Sequence, residues 1–211
     1  MHNCIFTPHC TELVCDRSCP MYVETSYLLE RNGITMDSNV FKATDSMIAQ
    51  ATKILGTFAS TTGGVVVESS NTDTIAVAEL LTYCAICQNW SGSGLHCTVY
   101  NLRFSRFLEE MKKSWSNKDT EVFEYMQIWA DTAKVLIISN LDFVNFKDFE
   151  SQTLLNLIQN RMTNKLTTII VSPPAKSLLS NHGMFFNLIV SRWLQGNEAK
   201  YIRYEDGGGI R

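Results

Sequence analysis

Two short apolar runs near the middle of the chain, residues 135–138 and 167–171, most constrain the fold. In each run β-branched and aliphatic residues stand at consecutive positions rather than at alternate ones. That pattern is typical of a strand covered on both faces in a parallel sheet. Between the runs, Leu155, Ile158 and Met162 recur at helical spacing. They predict a helix over residues 146–165, and the sequence therefore predicts a βαβ unit.

The remaining elements extend this unit into an α/β domain. Further strands are predicted at residues 64–67, 96–100 and 199–204, and strand three is predicted at residues 135–140. Other helices are predicted at residues 21–30 (ended by Asn32 and Gly33), 40–58, 74–90, 102–115, 121–130 and 184–194. Strands and helices alternate, so we expect a three-layer α/β domain with a parallel sheet.

The chain is predicted to contain three parts. Residues 1–31 form a small cysteine-rich metal-binding module, residues 32–62 a connecting helix and linker, and residues 63–211 the α/β domain. The connecting helix should place Phe41, Ile48, Ile54 and Leu55 on that domain.

Composition narrows the classes of function. With 211 residues and a net charge of -3, the chain has one main core and no overall attraction to nucleic acid or anionic membranes. No run approaches the roughly 18 to 20 apolar residues of a membrane span, and the first twenty residues lack a signal-peptide core. We therefore expect a cytoplasmic protein with no membrane partner.

Four of the seven cysteines gather near the start of the chain: Cys4, Cys10, Cys15 and Cys19. Four thiolates in one short segment can bind a metal ion tetrahedrally and let that segment fold around it. We favour zinc, with an iron-sulfur cluster as the alternative because Pro20 follows the last cysteine. His2 or His9 could replace one thiolate, and free or packed thiols are the reading without a metal. A second pair, Cys84 and Cys87, lies in an apolar helix and is predicted to pack in the core.

Three stretches carry a resemblance to a known family: residues 134–142, 160–170 and 189–193. Together with the order of elements, they resemble the AAA+ helicase loaders of the DnaC/DnaI type and their relative IstB. The resemblance covers about residues 63–205. The middle stretch, with Arg161, Asn164, Lys165 and Thr168, is close to a phrase that family members typically carry. A cysteine-rich module before the ATPase domain is also similar to the DnaI arrangement. The resemblance implies an AAA+ fold, a variety of P-loop NTPase.

The nucleotide-binding residues of that family are replaced here. In the family, strand one is followed by GxxxxGK[ST], whose amides, lysine and hydroxyl bind phosphates and magnesium. This chain has neither glycine, and Asp73 stands at the lysine position. Acids after strand three are replaced by Ser139 and Asn140, and prolines follow strand four where a polar sensor residue is usual. The degenerate nucleotide site comprises Glu68, Thr72, Asp73, Thr74, Ser139 and Asn140. We predict a pseudo-ATPase that neither binds ATP in the family manner nor hydrolyses it.

Two further features follow from the resemblance. Arg192 aligns with the arginine that the family presents to a neighbouring subunit's γ-phosphate; pairing with a carboxylate or capping a helix is the alternative. The helix predicted at residues 102–115 carries four basic residues beside aromatic ones: Arg103, Arg106, Lys112 and Lys113. It is our candidate for contact with single-stranded DNA. Glu109 and Glu110 dilute its charge, so a solvated amphipathic face is the other interpretation.

The function predicted from the sequence is that of a DNA-replication accessory protein, encoded by a phage or mobile element and similar to a helicase loader. It would bind a DnaB-type replicative helicase, without hydrolysing ATP, and could form oligomers. The alternatives are an inhibitor or decoy of a host AAA+ loader or initiator, a transposition accessory protein of the IstB type, and an active ATPase with an unfamiliar phosphate loop.

Overall fold

The computed structural model describes residues 20–35, 38–56, 64–69, 73–90, 99–116, 120–141, 144, 146–173 and 199–204. These residues form five strands and six α-helices. The strands are β1 (Gly64–Ser69), β2 (Val99–Arg103), β3 (Val135–Ser139), β4 (Thr167–Ser172) and β5 (Ala199–Tyr204). The helices are α1 (Pro20–Arg31), α2 (Asp45–Gly56), α3 (Thr74–Trp90), α4 (Phe104–Ser116), α5 (Glu121–Thr132) and α6 (Asp148–Thr163).

All five strands pair in parallel in one sheet with the order β2-β3-β4-β1-β5. Successive residues of a strand point to opposite faces. Val65 and Val67 therefore pack in the core shared with α1, α2 and α3, whereas Val66 packs in the core shared with α4, α5 and α6. Both faces of the sheet are covered, as the apolar runs predict. The α/β three-layer fold class is confirmed.

The helices before β1 pack on the main core. Ile54 and Leu55 are buried, Ile48 packs against the same cluster, and the ring of Phe41 meets that of Tyr83 edge-on with centroids 5.8 Å apart. The prediction that this face lies on the α/β domain is confirmed.

The turn after α1 closes the free side of β2. Gly33 has φ +76°, and the amides of Gly33 and Ile34 donate to the carbonyls of Glu30 and Leu29 at 2.9 Å. This is the Schellman ending that a glycine after the last helical residues predicts. The turn places Asn32 beside β2, where its Oδ1 accepts the Asn101 N–H at 2.7 Å and its Nδ2 donates to the Val99 carbonyl at 3.3 Å. One side chain thus satisfies backbone groups that another strand would otherwise pair with.

Several predicted boundaries differ from the structure, in which β1 for example ends at Ser69 and not at residue 67. Two of the differences change an element. The helix predicted over residues 40–58 is a 3-10 helix (Asn39–Lys42) followed by α2, because Ala43 is extended and Thr44 Oγ1 accepts the Met47 N–H at 3.3 Å. The second error concerns β2, which continues to Arg103, paired with Ser139 of β3, so α4 begins at Phe104 and not at residue 102. The helix predicted at residues 184–194 lies outside the described residues. None of the described helices has the length and apolar character needed to cross a membrane.

Candidate functional site

The sheet has one topological switch point. From β1 the chain crosses to β2 on one side, and from neighbouring β4 it crosses to β5 on the other. In open parallel sheets, ligands bind outside the carboxyl ends of the strands at such a point. Here those ends carry small polar residues, Ser69, Ser139 and Ser172, each at most 2% exposed, and Glu68 is buried beside them. We call this region the carboxyl edge.

Asp73 occupies the start of α3 at the carboxyl edge. Its side-chain Oδ1 accepts the Ala76 N–H at 2.9 Å, and its carbonyl accepts the Val77 N–H at 3.5 Å. Asp73 is therefore the N-cap of α3, a position where aspartate is favoured. The first amides of a helix are the groups that bind phosphate in P-loop folds. In this chain one of them is already bonded to a carboxylate, and the helix end carries a negative charge.

The residues that end β3 are neutral. Asn140 has φ +62°, a left-handed conformation that asparagine tolerates, and its Nδ2 donates to Ser105 Oγ at 2.7 Å. Ser139 is buried, and its hydroxyl lies 3.4 Å from Asn101 Oδ1. Both predicted replacements for the family's acids thus lie at the carboxyl edge and bond to neutral neighbours. Thr74 is buried at the start of α3, whereas Thr72 lies outside the described residues.

Glu79 and Arg103 form an ion pair between α3 and the end of β2, with Nη2 and Oε1 3.0 Å apart. Burial raises the pKa of Glu79 above its ordinary value, and the Asp73 carboxylate adds to this effect while Arg103 opposes it. Arg103, which the sequence assigned to DNA contact, is thus engaged by a carboxylate of its own chain.

Two of the other three basic residues on α4 are also paired. Lys112 Nζ lies 2.8 Å from Glu150 Oε1, and Lys113 Nζ lies 2.8 Å from Glu110 Oε1. Arg106 is exposed and has no ion pair among the described residues. Free positive charge on this helix is therefore smaller than the sequence suggests, and contact with DNA stays a prediction.

Sequence reasoning missed the contribution of α6 to this surface. The Trp115 side chain of α4, which is 64% exposed, meets the Phe149 ring of α6 edge-on with centroids 5.1 Å apart. Beside this pair, α4 and α6 line a groove of about 310 Å³ that contains Lys112, Lys147 and Glu150. Lys112 and Glu150 are 38 residues apart in sequence, so no local pattern could have brought them together.

Several predicted site residues lie outside the described residues: Cys4, Cys10, Cys15, Cys19 and Arg192. Among the described residues, no group of three or more histidine, cysteine or acidic side chains could hold a metal ion. Cys84 is described and is buried, and burial raises the pKa of its thiol to about 12. Its predicted place in the core is confirmed.

The order of strands and the two helical layers give this chain a fold of the AAA+ type. No protein-family model matches the sequence, and no curated protein matches it. Solved structures that are similar in fold include the following three. A DNA replication initiation factor has a TM-score of 0.53 and 13% identity, over 84% of this chain and 49% of that one. Domain III of the replication initiation protein DnaA from Thermotoga maritima has a TM-score of 0.53 and 14% identity, over 86% of this chain and 68% of that one.

The third structure is the initiator DnaA bound to AMPPCP and single-stranded DNA, with a TM-score of 0.51 and 16% identity over 92% of this chain and 53% of that one. This chain thus spans about half the length of the initiation-factor structure and of the DnaA structure bound to AMPPCP, at identities that show the fold alone. The AAA+ fold implied by the sequence resemblance is supported. The narrower assignment to DnaC-type loaders stays a prediction.

Proposed function

We propose that this chain is an accessory protein of DNA replication that acts by binding partner proteins and not by hydrolysing ATP. The observation that carries the proposal is the cap of α3, where the Asp73 carboxylate accepts the Ala76 N–H at 2.9 Å. An ATP-binding protein of this fold needs that helix end for phosphate.

Electrostatics favour the same conclusion. Two like charges 4 Å apart repel by about 4 kcal/mol at an effective dielectric constant of 20. A triphosphate at the start of α3 would meet the charge of Asp73, with Glu68 near the end of β1. Ser139 and Asn140 are neutral and cannot replace the acids that position magnesium and water.

The replication role rests on two similarities. The fold is similar to that of a DNA replication initiation factor and of DnaA structures, and the sequence phrases around Arg161 resemble helicase loaders. We propose a DnaB-type replicative helicase as the partner, recognised through a zinc module built by Cys4, Cys10, Cys15 and Cys19. The chain would hold the helicase in a loading-competent state by binding that state more tightly, which needs no nucleotide turnover.

An affinity pull-down of the tagged full chain from its native host tests this role. We expect the replicative helicase among the bound proteins, and its loss after metal chelation or after replacing Cys15 and Cys19 by serine. The matched control replaces the buried core thiol, Cys84→Ser, and should retain the helicase if the variant is folded. Recovery of the helicase with metal removed would contradict recognition through a metal module.

A second candidate is an inhibitor or decoy that enters a host initiator or loader assembly. The similarity of the fold to DnaA initiators favours it. Arg192 would then face the ATP of a competent neighbour. The same pull-down separates the two candidates, because an initiator recovered without the helicase supports the decoy. A transposase as the main bound protein would support the IstB-type role instead.

Single-stranded DNA is the candidate ligand of the α4–α6 surface, which we define by Lys112, Trp115 and Phe149. An exposed aromatic side chain can stack on a base, and such stacking contributes about 1–3 kcal/mol. Titration with a labelled oligonucleotide should therefore show binding that Trp115→Ala weakens about tenfold or more. Lys113→Ala is the control, since Lys113 is already paired with Glu110. Equal affinity of both variants for the oligonucleotide would show that DNA does not bind at this surface.

A further inference from the structure

The outer face of α5 carries an exposed apolar stripe. Val122, Tyr125 and Ile128 are 46%, 46% and 59% exposed, and they lie three residues apart, on one side of the helix. Trp129 adjoins the stripe, with its ring centroid 6.1 Å from that of Tyr125. We call Val122, Tyr125 and Ile128 the α5 stripe. Exposed apolar residues that adjoin in this way mark a contact surface more often than scattered ones do.

The two ends of the α5 stripe carry opposite charges. At its start, Glu121 and Glu124 are exposed acidic residues of the first turn. At its other end, the Arg31 guanidinium from α1 lies over the Trp129 ring, 4.1 Å from the centroid. The face is therefore acidic at one end, apolar in the middle and basic at the other end.

We propose that the α5 stripe binds a second copy of this chain, with the two α5 helices antiparallel about a two-fold axis at Tyr125. Val122 and Ile128 are equally distant from Tyr125 along the helix, so the axis places Val122 of each copy against Ile128 of the other. It also places Glu121 of each copy opposite position 129 of the other, where Arg31 lies. A patch that is complementary to itself in this way is what a two-fold contact requires.

The contact is small. Stable complexes bury roughly 800 Å² on each partner, which three half-exposed side chains on one helix do not reach. We therefore expect a weak dimer whose population rises with concentration, and we expect the charged ends to fix its orientation more than they strengthen it.

Sedimentation velocity of the full chain, from low micromolar to near-millimolar concentration, tests the dimer. Ile128→Glu should weaken association at least tenfold, because it places two carboxylates in the apolar contact. The matched control is Gln127→Glu, which adds the same charge to an exposed position that faces a groove toward α4 and α6. Circular dichroism shows whether each variant is folded. A chain that stays monomeric throughout, or a dimer that Ile128→Glu leaves unchanged, overturns the proposal.

Two further experiments test the geometry. Tyr125→Cys should give a disulfide between the two copies at position 125 under mild oxidation, identified by mass spectrometry, whereas Gln127→Cys should not. Glu121→Arg and Arg31→Glu should each weaken self-association, and mixing the two variants should restore it. Cross-linking at position 127 but not 125, or no recovery on mixing folded variants, would rule out the antiparallel arrangement.

Discussion

The two ends of the same sheet differ in how they treat charge. At the amino edge, where strands begin, the Arg161 guanidinium is fully buried. Its Nε donates to Thr168 Oγ1 at 2.9 Å, Nη1 to the Ala130 carbonyl at 2.7 Å, and Nη2 to the carbonyls of Ala133 and Thr167 at 2.9 and 2.6 Å. At the carboxyl edge, small neutral residues end the strands and Asp73 caps α3. The guanidinium at the amino edge is bonded within its own chain, whereas the carboxyl edge carries small polar strand ends and the capping carboxylate of Asp73.

Arg161 joins the end of α5 to the starts of β3 and β4. Burial lowers the pKa of Arg161 to about 10, with the nearby Asp131 opposing the shift, so the group stays protonated at neutral pH. The carbonyls of Ala130 and Ala133 lie at the C-terminal end of α5, which favours a cation. Such an arrangement stabilises the fold and offers nothing to a ligand.

This difference between the two edges explains which part of the structure the sequence resemblance reflects. Its closest phrase contains Arg161, Lys165 and Thr168. Arg161 and Thr168 bond to each other, and Lys165 takes a left-handed φ of +55° in the turn before β4. The shared phrase therefore specifies the scaffold. The positions predicted to correspond to that family's nucleotide-binding residues lie at the opposite edge.

Arg161→Met should have the largest effect. It removes the donor of four hydrogen bonds, three of them fully buried, and should lower the free energy of unfolding by about 3–5 kcal/mol, measured by guanidinium chloride denaturation. Arg161→Lys keeps the charge but lacks the planar guanidinium, so its free energy of unfolding should lie between those of the wild type and Arg161→Met. A loss below about 1 kcal/mol for Arg161→Met would contradict the scaffold role of the amino edge.

Asn32→Ala should have the second largest effect, about 1–3 kcal/mol, because it leaves buried backbone groups of β2 without a partner. Hydrogen exchange at the Asn101 amide should become faster at the same time. Asn32→Asp keeps the acceptor for that amide but cannot donate to Val99, so it should protect Asn101 better than alanine does. Unchanged exchange in Asn32→Ala would show that another group closes this side of β2.

At the carboxyl edge, Asp73→Ala should cost only about 1 kcal/mol, the usual value of an N-cap. Asp73→Asn retains an acceptor oxygen and should stay close to wild type in thermal denaturation. If Asp73→Ala instead raised the melting temperature, the cap would not stabilise α3 and the charge of Asp73 would destabilise the fold.

The smallest effect concerns Glu150 beside the α4–α6 groove. The hydrogen bond from Lys112 lowers the pKa of Glu150, against the effect of burial. A lowered pKa in the folded state means that this stability is present above the unfolded value of about 4.3 and is lost as the pH falls through the folded value. Glu150→Gln should therefore cost roughly 0.5–1 kcal/mol at pH 7 and less below pH 4. A stability difference between the wild type and Glu150→Gln that grows as the pH falls would contradict this prediction.

Much of the fold could be predicted because its main signal is local. Strands covered on both faces are continuously apolar, and β3 and β4 were found for that reason. The start of α4 was misplaced because β2 passes into the helix without a loop, so Leu102 and Arg103 read as part of the helical pattern. The interruption at Ala43 and Thr44 was missed because Phe41 and Ile48 stand seven residues apart, the spacing of one face of a continuous helix.

The features of the candidate site likewise divide into those that the sequence can predict and those that it cannot. The prediction that Asp73 stands at a lysine position uses the sequence alone, and aspartate before an apolar helix is also an N-cap signal that could have been used. The pairs that engage Arg103, Lys112 and Asn32 join residues 24, 38 and 69 positions apart. Such contacts depend on the packing of whole elements, which a single sequence does not reveal.

Equilibrium binding of a fluorescent ATP analogue with magnesium tests the central claim most directly. The full chain should show no saturable binding up to millimolar nucleotide, and Asp73→Asn should not create any, because Ser139 and Asn140 still provide no charge for the metal. Saturable micromolar binding that unlabelled ATP displaces would contradict the account and make the carboxyl edge a working nucleotide site.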